Sequence, residues 1–300
     1  MVIIEPMKIG VTMPQGVDHE FDGWEPAAAW RRSVEVARHA EQLGFESIWV
    51  YDHFQTDPIP IDAITFEAFT LLTALGVSTE RVRLGHLVLG AGYRNAALVA
   101  KMASTLDVIT GGRMELGLGA GWKEDEYLAF GYGFPPLKDR LAILSDTLEI
   151  VTRMFSGEHA TFAGVHRQVI DAINVPVGLQ QPRIPIVVGG NGPKVTFRLA
   201  ARHADELNLD GLSPEEVAKA LPIVKDRCRE IGRNPQTLRV SVHLWGAVVG
   251  DEGPKRAQRL AAYRDLGVSR VMAQLTAASS DLGALDRFRE DALSAGAELS

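Results

Sequence analysis

Eight short apolar runs divide the 300-residue chain, and each leads through a glycine or polar cluster into an amphipathic stretch. Regular alternation of strand and helix predicts an α/β fold with a parallel sheet, whose strand ends carry the functional side chains. The predicted strands are residues 8–13, 47–51, 82–89, 113–118, 184–188, 204–209, 238–247 and 269–275.

The stretches between these runs have helical periodicity. For example, Ser213-Pro214-Glu215-Glu216 has the form of a helix N-cap followed by proline and acidic residues. Eight strand–helix units that cross over in the same hand predict a closed (β/α)8 TIM barrel, with residues 1–300 forming a single domain. The predicted helices are residues 27–43, 65–75, 97–109, 140–155, 193–203, 213–231, 253–266 and 282–295.

An open, doubly wound sheet is the alternative fold. The richest glycine cluster, Gly117-Leu118-Gly119-Ala120-Gly121-Trp122, argues against it, because this cluster follows the fourth run instead of the first. It also lacks the G-x-G-x-x-G spacing of dinucleotide-binding folds. Residues 156–183, between the fourth and fifth strands, hold no long helical pattern and are predicted to form an inserted loop or hairpin over one barrel mouth.

Composition limits the partners and the compartment. The formal net charge of −7 gives no basic footprint for nucleic acid. Cys228 is the only cysteine, so disulfides within the chain are excluded and the composition fits a reducing compartment. Residues 1–6 show no basic region followed by a long apolar segment, and no uncharged apolar stretch is long enough to span a bilayer. The sequence therefore predicts a cytoplasmic protein with neither membrane nor nucleic-acid partners.

The fourth predicted strand gives the strongest functional signal. Its bulky residues alternate with Glu115, Gly117 and Gly119, so the two glycines are expected to face the barrel axis. Missing side chains at these positions would leave a hollow for a flat or bulky ligand. The alternative is that the glycines only permit a tight βα turn.

A second glycine cluster, Gly189-Gly190-Asn191-Gly192, follows the fifth predicted strand and precedes a helix expected to begin near Pro193. Free backbone N–H groups at a helix start bind anions, so this cluster is interpreted as the site of a cofactor phosphate. Glycine-rich βα turns also occur without a ligand, and that alternative stays open.

Asp52 and His53 end the second predicted strand. A histidine at this end of a barrel can donate a proton near neutral pH, although a structural hydrogen bond to Asp52 or to the backbone is equally consistent with the sequence. His243 is interpreted as a packed core histidine, and Asp210 as a residue without a matching partner. No acid–histidine or double-histidine spacing recurs, so no metal site is predicted.

Taken together, these residues carry a family resemblance over almost the whole chain. The chain resembles the luciferase-like flavin and deazaflavin oxidoreductases, especially the group that uses coenzyme F420. The matching segments are Ala40-Glu41-Gln42-Leu43-Gly44-Phe45-Glu46-Ser47-Ile48-Trp49, Tyr51-Asp52-His53-Phe54, Leu84-Gly85-His86-Leu87-Val88-Leu89, Tyr93-Arg94-Asn95, Ala100-Lys101-Met102, Thr105-Leu106-Asp107, Gly111-Gly112-Arg113, the Gly117–Trp122 cluster, Ile186-Val187-Val188-Gly189-Gly190 and Ala200-Ala201-Arg202-His203-Ala204-Asp205.

The resemblance implies that a tricyclic cofactor ring lies in the barrel mouth, and that the proteins of this group are often homodimers. His53 would lie beside the reactive carbon of the ring as the catalytic residue. A cis peptide bond between Leu87 and Val88 would support the back of the ring, and the phosphate would rest on the second glycine cluster. The implied cofactor-binding residues are Asp52, Leu87, Val88, Gly90, Ala120, Gly121, Trp122, Gly189, Gly190, Asn191 and Gly192.

The resulting hypothesis is an F420-dependent oxidoreductase that transfers a hydride between the deazaflavin and a small organic substrate, with His53 donating or accepting one proton. The sugar-phosphate dehydrogenases of the group carry glutamate where Trp122 stands and tryptophan where Asp57 stands, which argues against a sugar phosphate substrate. Trp122, His243 and Trp245 would instead line an apolar, aromatic substrate side.

Two other functions remain open at this stage. One is an FMN-dependent two-component monooxygenase that uses reduced flavin and oxygen. The other is a barrel that binds a ligand without catalysis, or a lyase that uses a lysine Schiff base. Lys101 and Lys123 fall on early helices and not deep in a strand, which argues against the lyase.

Overall fold

The computed structural model describes residues 6–249 and 251–299. Residues 1–5, on which the predicted location partly depends, lie outside the described residues. The strands are β1 (Lys8–Thr12), β2 (Ser47–Val50), β3 (Arg83–His86), β4 (Leu89–Gly90), β5 (Met114–Gly119), β6 (Ala160–Ala163), β7 (Gln168–Ala172), β8 (Ile186–Gly189), β9 (Glu206–Asp210), β10 (Arg239–Leu244) and β11 (Arg270–Ala273). The helices are α1 (Pro26–Gln42), α2 (Ala68–Ser78), α3 (Ala96–Ile109), α4 (Glu124–Ala129), α5 (Leu137–Met154), α6 (Thr196–His203), α7 (Pro214–Glu230), α8 (Gly246–Val249), α9 (Pro254–Asp265) and α10 (Gly283–Ser294). Among these described helices, none is both long and apolar enough to cross a membrane.

The parallel strands close into a barrel. The hydrogen-bonded order is β3-β2-β1-β11-β10-β9-β8-β5-β4, and β3 also pairs with β5, which completes the ring. Strands β3 and β4 share one position in the ring, because both pair with β5 on either side of a bulge at residues 87–88. The predicted (β/α)8 barrel is therefore confirmed, and the open doubly wound sheet is excluded.

Most element boundaries agree with the sequence prediction, and two details are informative. Ser213 caps α7 as predicted: its hydroxyl accepts from the Glu216 N–H at 3.3 Å, and the Glu216 carboxylate accepts from the Ser213 N–H at 2.8 Å. Helix α6, in contrast, begins at Thr196 and not near Pro193. Residues 193–195 form a turn before the helix, and the preceding Asn191 side chain is bound to the backbone of Asp210.

Residues 156–183 contain the predicted hairpin, formed by the antiparallel strands β6 and β7, but none of these residues lines the cavity at the carboxyl ends of the barrel strands. The hairpin packs on α5. The chain then runs to the opposite end of the barrel, where the Gln180 amide donates to the Met114 carbonyl at 2.6 Å and accepts from Arg83 at 2.9 Å. Met114 and Arg83 begin β5 and β3, so the insertion stabilises the amino-terminal edge of the sheet.

A buried charge cluster fills the amino-terminal half of the barrel. The Arg270 guanidinium makes two bonds with the Glu115 carboxylate, at 2.8 and 3.1 Å, and a third with Glu46 at 3.2 Å. Glu206 lies 3.6 Å from the same guanidinium. Burial acts to raise the pKa of Glu115, but the guanidiniums of Arg270 and Arg83 hold it below its usual value. The cluster is consequently a closed ionic core remote from the glycine-rich mouth.

Two glycines admit the ring of Trp49 into the barrel interior. A Cβ atom on Gly85 would overlap the six-membered part of the indole, and one on Gly10 would lie 2.7 Å from its Nε1. The indole nitrogen donates to the Ser47 hydroxyl at 2.8 Å, which fixes the ring in place. These glycines therefore serve packing and not ligand binding.

We expect Gly85→Ala to lower the free energy of unfolding by about 1–3 kcal/mol, because the buried Trp49 ring has no space into which it can move. Urea denaturation followed by circular dichroism measures the effect. The matched control is Gly133→Ala, since a Cβ at that exposed position would meet nothing within 4 Å. Equal denaturation midpoints for the two variants would show that the ring relaxes freely.

Candidate active site

A cavity of about 420 Å³ lies at the carboxyl ends of the barrel strands. His53 lines it, as does every residue predicted to bind the cofactor except Asn191. The sequence prediction thus locates one continuous site. The cavity is lined by Tyr51, Asp52, His53, Leu87, Val88, Gly90, Tyr93, Gly119, Ala120, Gly121, Trp122, Lys123, Leu137, Leu141, Gly189, Gly190, Gly192, Thr196, Asn208, Asp210, His243 and Trp245.

Asp52 presents a fixed carboxylate oxygen at this cavity. Its Oδ2 accepts from the Gly90 N–H at 2.9 Å and from Arg94 at 2.8 Å, while Arg94 also donates to Glu67 at 2.7 Å. Its Oδ1 is buried and has no hydrogen-bond partner among the described residues. Burial raises the pKa of Asp52, although the Arg94 guanidinium opposes the rise. Arg94 therefore braces the loop, and Asp52 Oδ1 is left buried without a hydrogen-bond partner among the described residues.

The bulge between β3 and β4 forms a wall of the cavity. The Leu87–Val88 peptide bond is cis, as the family resemblance implied. The hollow predicted beside Gly117 and Gly119 is, however, filled by protein: a Cβ on Gly117 would overlap the His86 carbonyl oxygen, and one on Gly119 would lie 2.7 Å from Val88 Cγ2. These glycines leave room for the bulge of the neighbouring strand. A ligand in the cavity would therefore contact the Val88 side chain.

The His53 imidazole is held by a buried carboxylate that sequence reasoning missed. Its Nδ1 lies 3.2 Å from Glu126 Oε2, which also accepts from the Tyr93 hydroxyl at 2.7 Å. Glu126 Oε1 accepts from the Phe54 N–H at 2.7 Å. Burial acts to raise the pKa of Glu126, but the hydrogen bond and charge of His53, with the other donors, lower it below its usual value. Glu126 is therefore an anion that orients His53.

The free edge of His53 faces the cavity. With Nδ1 engaged by Glu126, Nε2 has no hydrogen-bond partner in the part of the chain that the structure describes. The ring meets the Trp122 indole edge-on at 5.8 Å between centroids, and Trp122 itself is 60% exposed at the rim. His53 can therefore exchange a proton with a bound molecule through Nε2.

A second hydrogen-bonded chain lies on the same cavity wall. The Tyr51 hydroxyl is 2.9 Å from His243 Nε2, and His243 Nδ1 is 3.0 Å from Asp210 Oδ1. His243 is buried, as predicted for a packed core residue, and it also lines the cavity, as expected for the substrate side. The interpretation of Asp210 as partnerless was wrong. The strands that carry them are neighbours, with His243 paired to Asp210 in the β9–β10 register, which the sequence pattern does not reveal.

The second glycine cluster borders the cavity, with the Thr196 side chain beside it. Gly190 has a φ of 130°, in the region that favours glycine, and a Cβ on Gly192 would lie 2.8 Å from the Thr196 hydroxyl. Asn191 instead points its side chain at Asp210, with two hydrogen bonds of 2.8 and 2.9 Å. The phosphate site stays a prediction, and Asn191 would support it from outside the cavity.

Comparison with known proteins gives a consistent set of similarities. The sequence pattern of the family described as luciferase-like monooxygenase matches residues 7–298. An F420-dependent glucose-6-phosphate dehydrogenase of Microbacterium testaceum (strain StLB037) is 33% identical over 198 residues, which make up 65% of this chain and 57% of that protein. A 5,10-methylenetetrahydromethanopterin reductase of Methanolobus tindarius is 26% identical over 210 residues, 70% of this chain and 59% of that protein. The chain spans about half the length of the curated relatives it matches.

Solved structures share the fold along their full length. An F420-dependent secondary alcohol dehydrogenase, in complex with an F420-acetone adduct, superposes with a TM-score of 0.80 at 18% identity and covers 97% of this chain and 99% of its own. The long-chain alkane monooxygenase LadA gives a TM-score of 0.78 at 12% identity, covering 98% and 92%. At these identities the similarity shows the barrel architecture alone.

Proposed function

The chain belongs to the luciferase-like monooxygenase family, and from this membership we propose that it is an oxidoreductase that uses coenzyme F420 to reduce or oxidise a small organic molecule. Curated relatives with F420-dependent activities support the cofactor, while the cavity at the carboxyl ends of the strands supports the place of binding. The single observation that carries the proposal is one cavity that is lined by Asp52, His53 and residues of both glycine clusters.

The residues around the cavity fit a flat cofactor with a ring N–H and an acidic tail. Asp52 Oδ1 would accept from the ring N–H, because a buried carboxylate oxygen without a donor is costly and a ligand donor would satisfy it. Val88 would contact one face of the ring. Gly190 and Gly192 would hold the phosphate, since they offer backbone N–H groups without side chains in the way.

The protein would contribute alignment and one proton. A bound deazaflavin supplies or accepts a hydride. His53, oriented by Glu126, would hold the proton at Nε2 and exchange it with the substrate. The indoles of Trp122 and Trp245 and the side chain of Leu137 would exclude water from the reacting groups.

The charges around the cavity favour an uncharged substrate over a sugar phosphate. Lys123 lines the cavity, but its ammonium group is bound to Asp57 at 2.6 Å and to Asp125 at 3.2 Å. A cation neutralised in this way has little attraction left for a phosphate. We therefore propose a neutral, largely apolar substrate. The cytoplasmic location and the homodimer stay predictions from the sequence and the resemblance.

Titration of the purified protein with oxidised F420 and, separately, with FMN tests the cofactor assignment by fluorescence. We expect F420 to bind at least tenfold more tightly. We also expect Asp52→Asn to weaken F420 binding about 10- to 100-fold, because it removes a charged acceptor and offers the ring an N–H in its place.

The matched control is Asp226→Asn on the exposed face of α7, which should leave the affinity unchanged. Tighter binding of FMN would favour the two-component monooxygenase. Binding of neither cofactor would refute the oxidoreductase and favour a barrel with another ligand.

A further inference from the structure

Tyr51, His243 and Asp210 form a hydrogen-bonded chain that the proposed chemistry at His53 does not use. Tyr51 follows β2, whereas His243 lies on β10, and β1 and β11 stand between these two strands in the ring. The Tyr51–His243 bond therefore spans the barrel mouth. All three residues line the same cavity as Asp52 and His53.

The chemistry of the three groups fixes the direction of the hydrogen bonds. The Asp210 carboxylate can only accept, so His243 Nδ1 carries a proton and donates a hydrogen bond to it. In the neutral imidazole, Nε2 then has a lone pair and accepts a hydrogen bond from the Tyr51 hydroxyl. An oxygen atom of a molecule bound in the cavity would compete with Nε2 for the hydrogen bond of this hydroxyl.

The hydrogen-bonded chain is fixed at its Tyr51 end and reaches solvent at its Asp210 end. Gln15 holds the backbone of Tyr51 through two bonds of 2.8 and 2.9 Å, and the Tyr51 ring lies parallel to Trp245 at 11° and 6.0 Å. His243 is 2% exposed, whereas the Asp210 side chain is 49% exposed. A hydrogen-bonded chain that begins at the solvent-exposed rim therefore holds the buried phenol in place.

The surroundings keep the phenol protonated. Burial raises the pKa of Tyr51 well above its ordinary value, and the negative charges of Asp18, Glu20 and Asp210 raise it further, while a hydrogen bond with Thr12 opposes them. A neutral phenol at the cavity wall is a hydrogen-bond donor for an oxygen atom, and it does not repel a developing negative charge on that atom.

We propose that Tyr51, backed by His243 and Asp210, binds a carbonyl or hydroxyl oxygen of the substrate. This inference rests on the proposed function and narrows its substrate class to apolar or aromatic molecules that carry such an oxygen. Because the hydroxyl can both donate and accept, the site accommodates the alcohol and the ketone form of one compound. Tyr51 and His53 would then contact the substrate from different strand ends.

Cyclohexanone, an apolar ring with one carbonyl oxygen, is the probe. It is titrated by calorimetry into protein loaded with oxidised F420, which has no hydride to give, and into the protein without cofactor. We expect Tyr51→Phe, which keeps the ring beside Trp245, to raise the Kd for cyclohexanone about 5- to 30-fold and to leave the Kd for F420 within twofold. An unchanged Kd for cyclohexanone in Tyr51→Phe would overturn the proposal.

The matched control is Tyr263→Phe, because that buried hydroxyl donates to the Leu212 carbonyl at 2.7 Å and does not line the cavity. This variant should bind cyclohexanone as the unaltered protein does. A further outcome is that the protein binds cyclohexanone in a way that depends on Tyr51 and yet does not bind F420. That result would refute the cofactor proposal and would support the proposed oxygen-binding site.

A spectroscopic measurement distinguishes binding of the substrate oxygen by Tyr51 from a purely structural role of Tyr51. In ¹⁵N spectra of the histidine rings, cyclohexanone should move the Nε2 resonance of His243 as the Tyr51 hydroxyl turns toward the carbonyl. Should Tyr51→Phe fail to fold, Asp210→Asn at the half-exposed rim provides the second variant, with an expected two- to tenfold weaker binding of cyclohexanone. An unmoved His243 resonance, or unchanged affinity in Asp210→Asn, would overturn the proposal.

Discussion

Replacement of Arg270 by methionine is expected to lower the free energy of unfolding by about 3–5 kcal/mol. Arg270 is 2% exposed and is the shared cation of Glu115, Glu46 and Glu206. Methionine fills similar volume but leaves buried carboxylates without that counter-charge, and their desolvation is then uncompensated. Thermal unfolding and urea denaturation at neutral pH measure the loss, which should appear as a fall of about 5–8 °C in Tm.

A control variant and the pH dependence show whether the loss of charge pairing causes the lower stability of Arg270→Met. Arg229→Met removes an exposed pair with Asp226 on α7 and should cost less than about 1 kcal/mol. In Arg270→Met, the pKa of Glu115 should rise, so its protonation at acidic pH should reduce the deficit relative to the unaltered protein. A deficit that stays constant from neutral to acidic pH would point to lost packing instead of unpaired charge.

The fold could be predicted because its signal is repeated. Each strand is buried on both faces and therefore appears as an apolar run, and each following helix shows its own periodicity. An error of a few residues at α6 or α2 does not change the number of units. The hairpin in residues 156–183 was predictable as an interruption, but its position was not, because the polar contacts of Gln180 with Met114 and Arg83 join distant parts of the sequence.

The sequence predicted the position of the site, but not all of the residues and contacts that form it. Strand ends meet at one mouth of a barrel, so Asp52, His53 and the glycine clusters were expected together. Glu126 was missed because it stands in the acidic run Glu124-Asp125-Glu126, and only the start of α4 decides which of these acids turns inward. The Tyr51–His243 bond was missed for a related reason: contacts across a barrel mouth have no fixed sequence spacing.

The glycines of β5 indicated the correct end of the barrel for the cavity, but the predicted reason for the cavity, two missing side chains, was incomplete. Alternation along the strand correctly places Gly117 and Gly119 toward the barrel interior. It cannot reveal that the neighbouring strand is broken at the bulge, so that the His86 carbonyl and Val88 occupy the space. The cavity lies beyond that bulge, and its existence depends on residues from several strand ends instead of on two absent side chains.

His53→Ala is expected to lower turnover about 10²- to 10⁴-fold in the proposed F420-dependent reaction, because that reaction would lose its positioned proton donor. The affinity for F420 should stay within tenfold of that of the unaltered protein, since Asp52 and the second glycine cluster are unchanged. Stopped-flow absorbance of the cofactor measures the rate, and fluorescence titration measures the binding. His159→Ala, on the exposed β6–β7 hairpin, is the matched control and should keep full activity. Full turnover in His53→Ala with normal F420 binding would contradict the proton-transfer role.

Glu126→Gln separates the orientation of His53 from its chemistry. Glutamine has nearly the same size, but its amide group has one acceptor oxygen where the carboxylate has two, whereas His53, Phe54 and Tyr93 all require an acceptor there. One donor must therefore lose its partner. We expect turnover to fall less than in His53→Ala, because the imidazole remains but its orientation is no longer fixed by the carboxylate. In the double variant His53→Ala/Glu126→Gln the second substitution should add little, since Glu126 acts through His53. Additive losses of activity would mean that Glu126 contributes to the reaction independently of the imidazole.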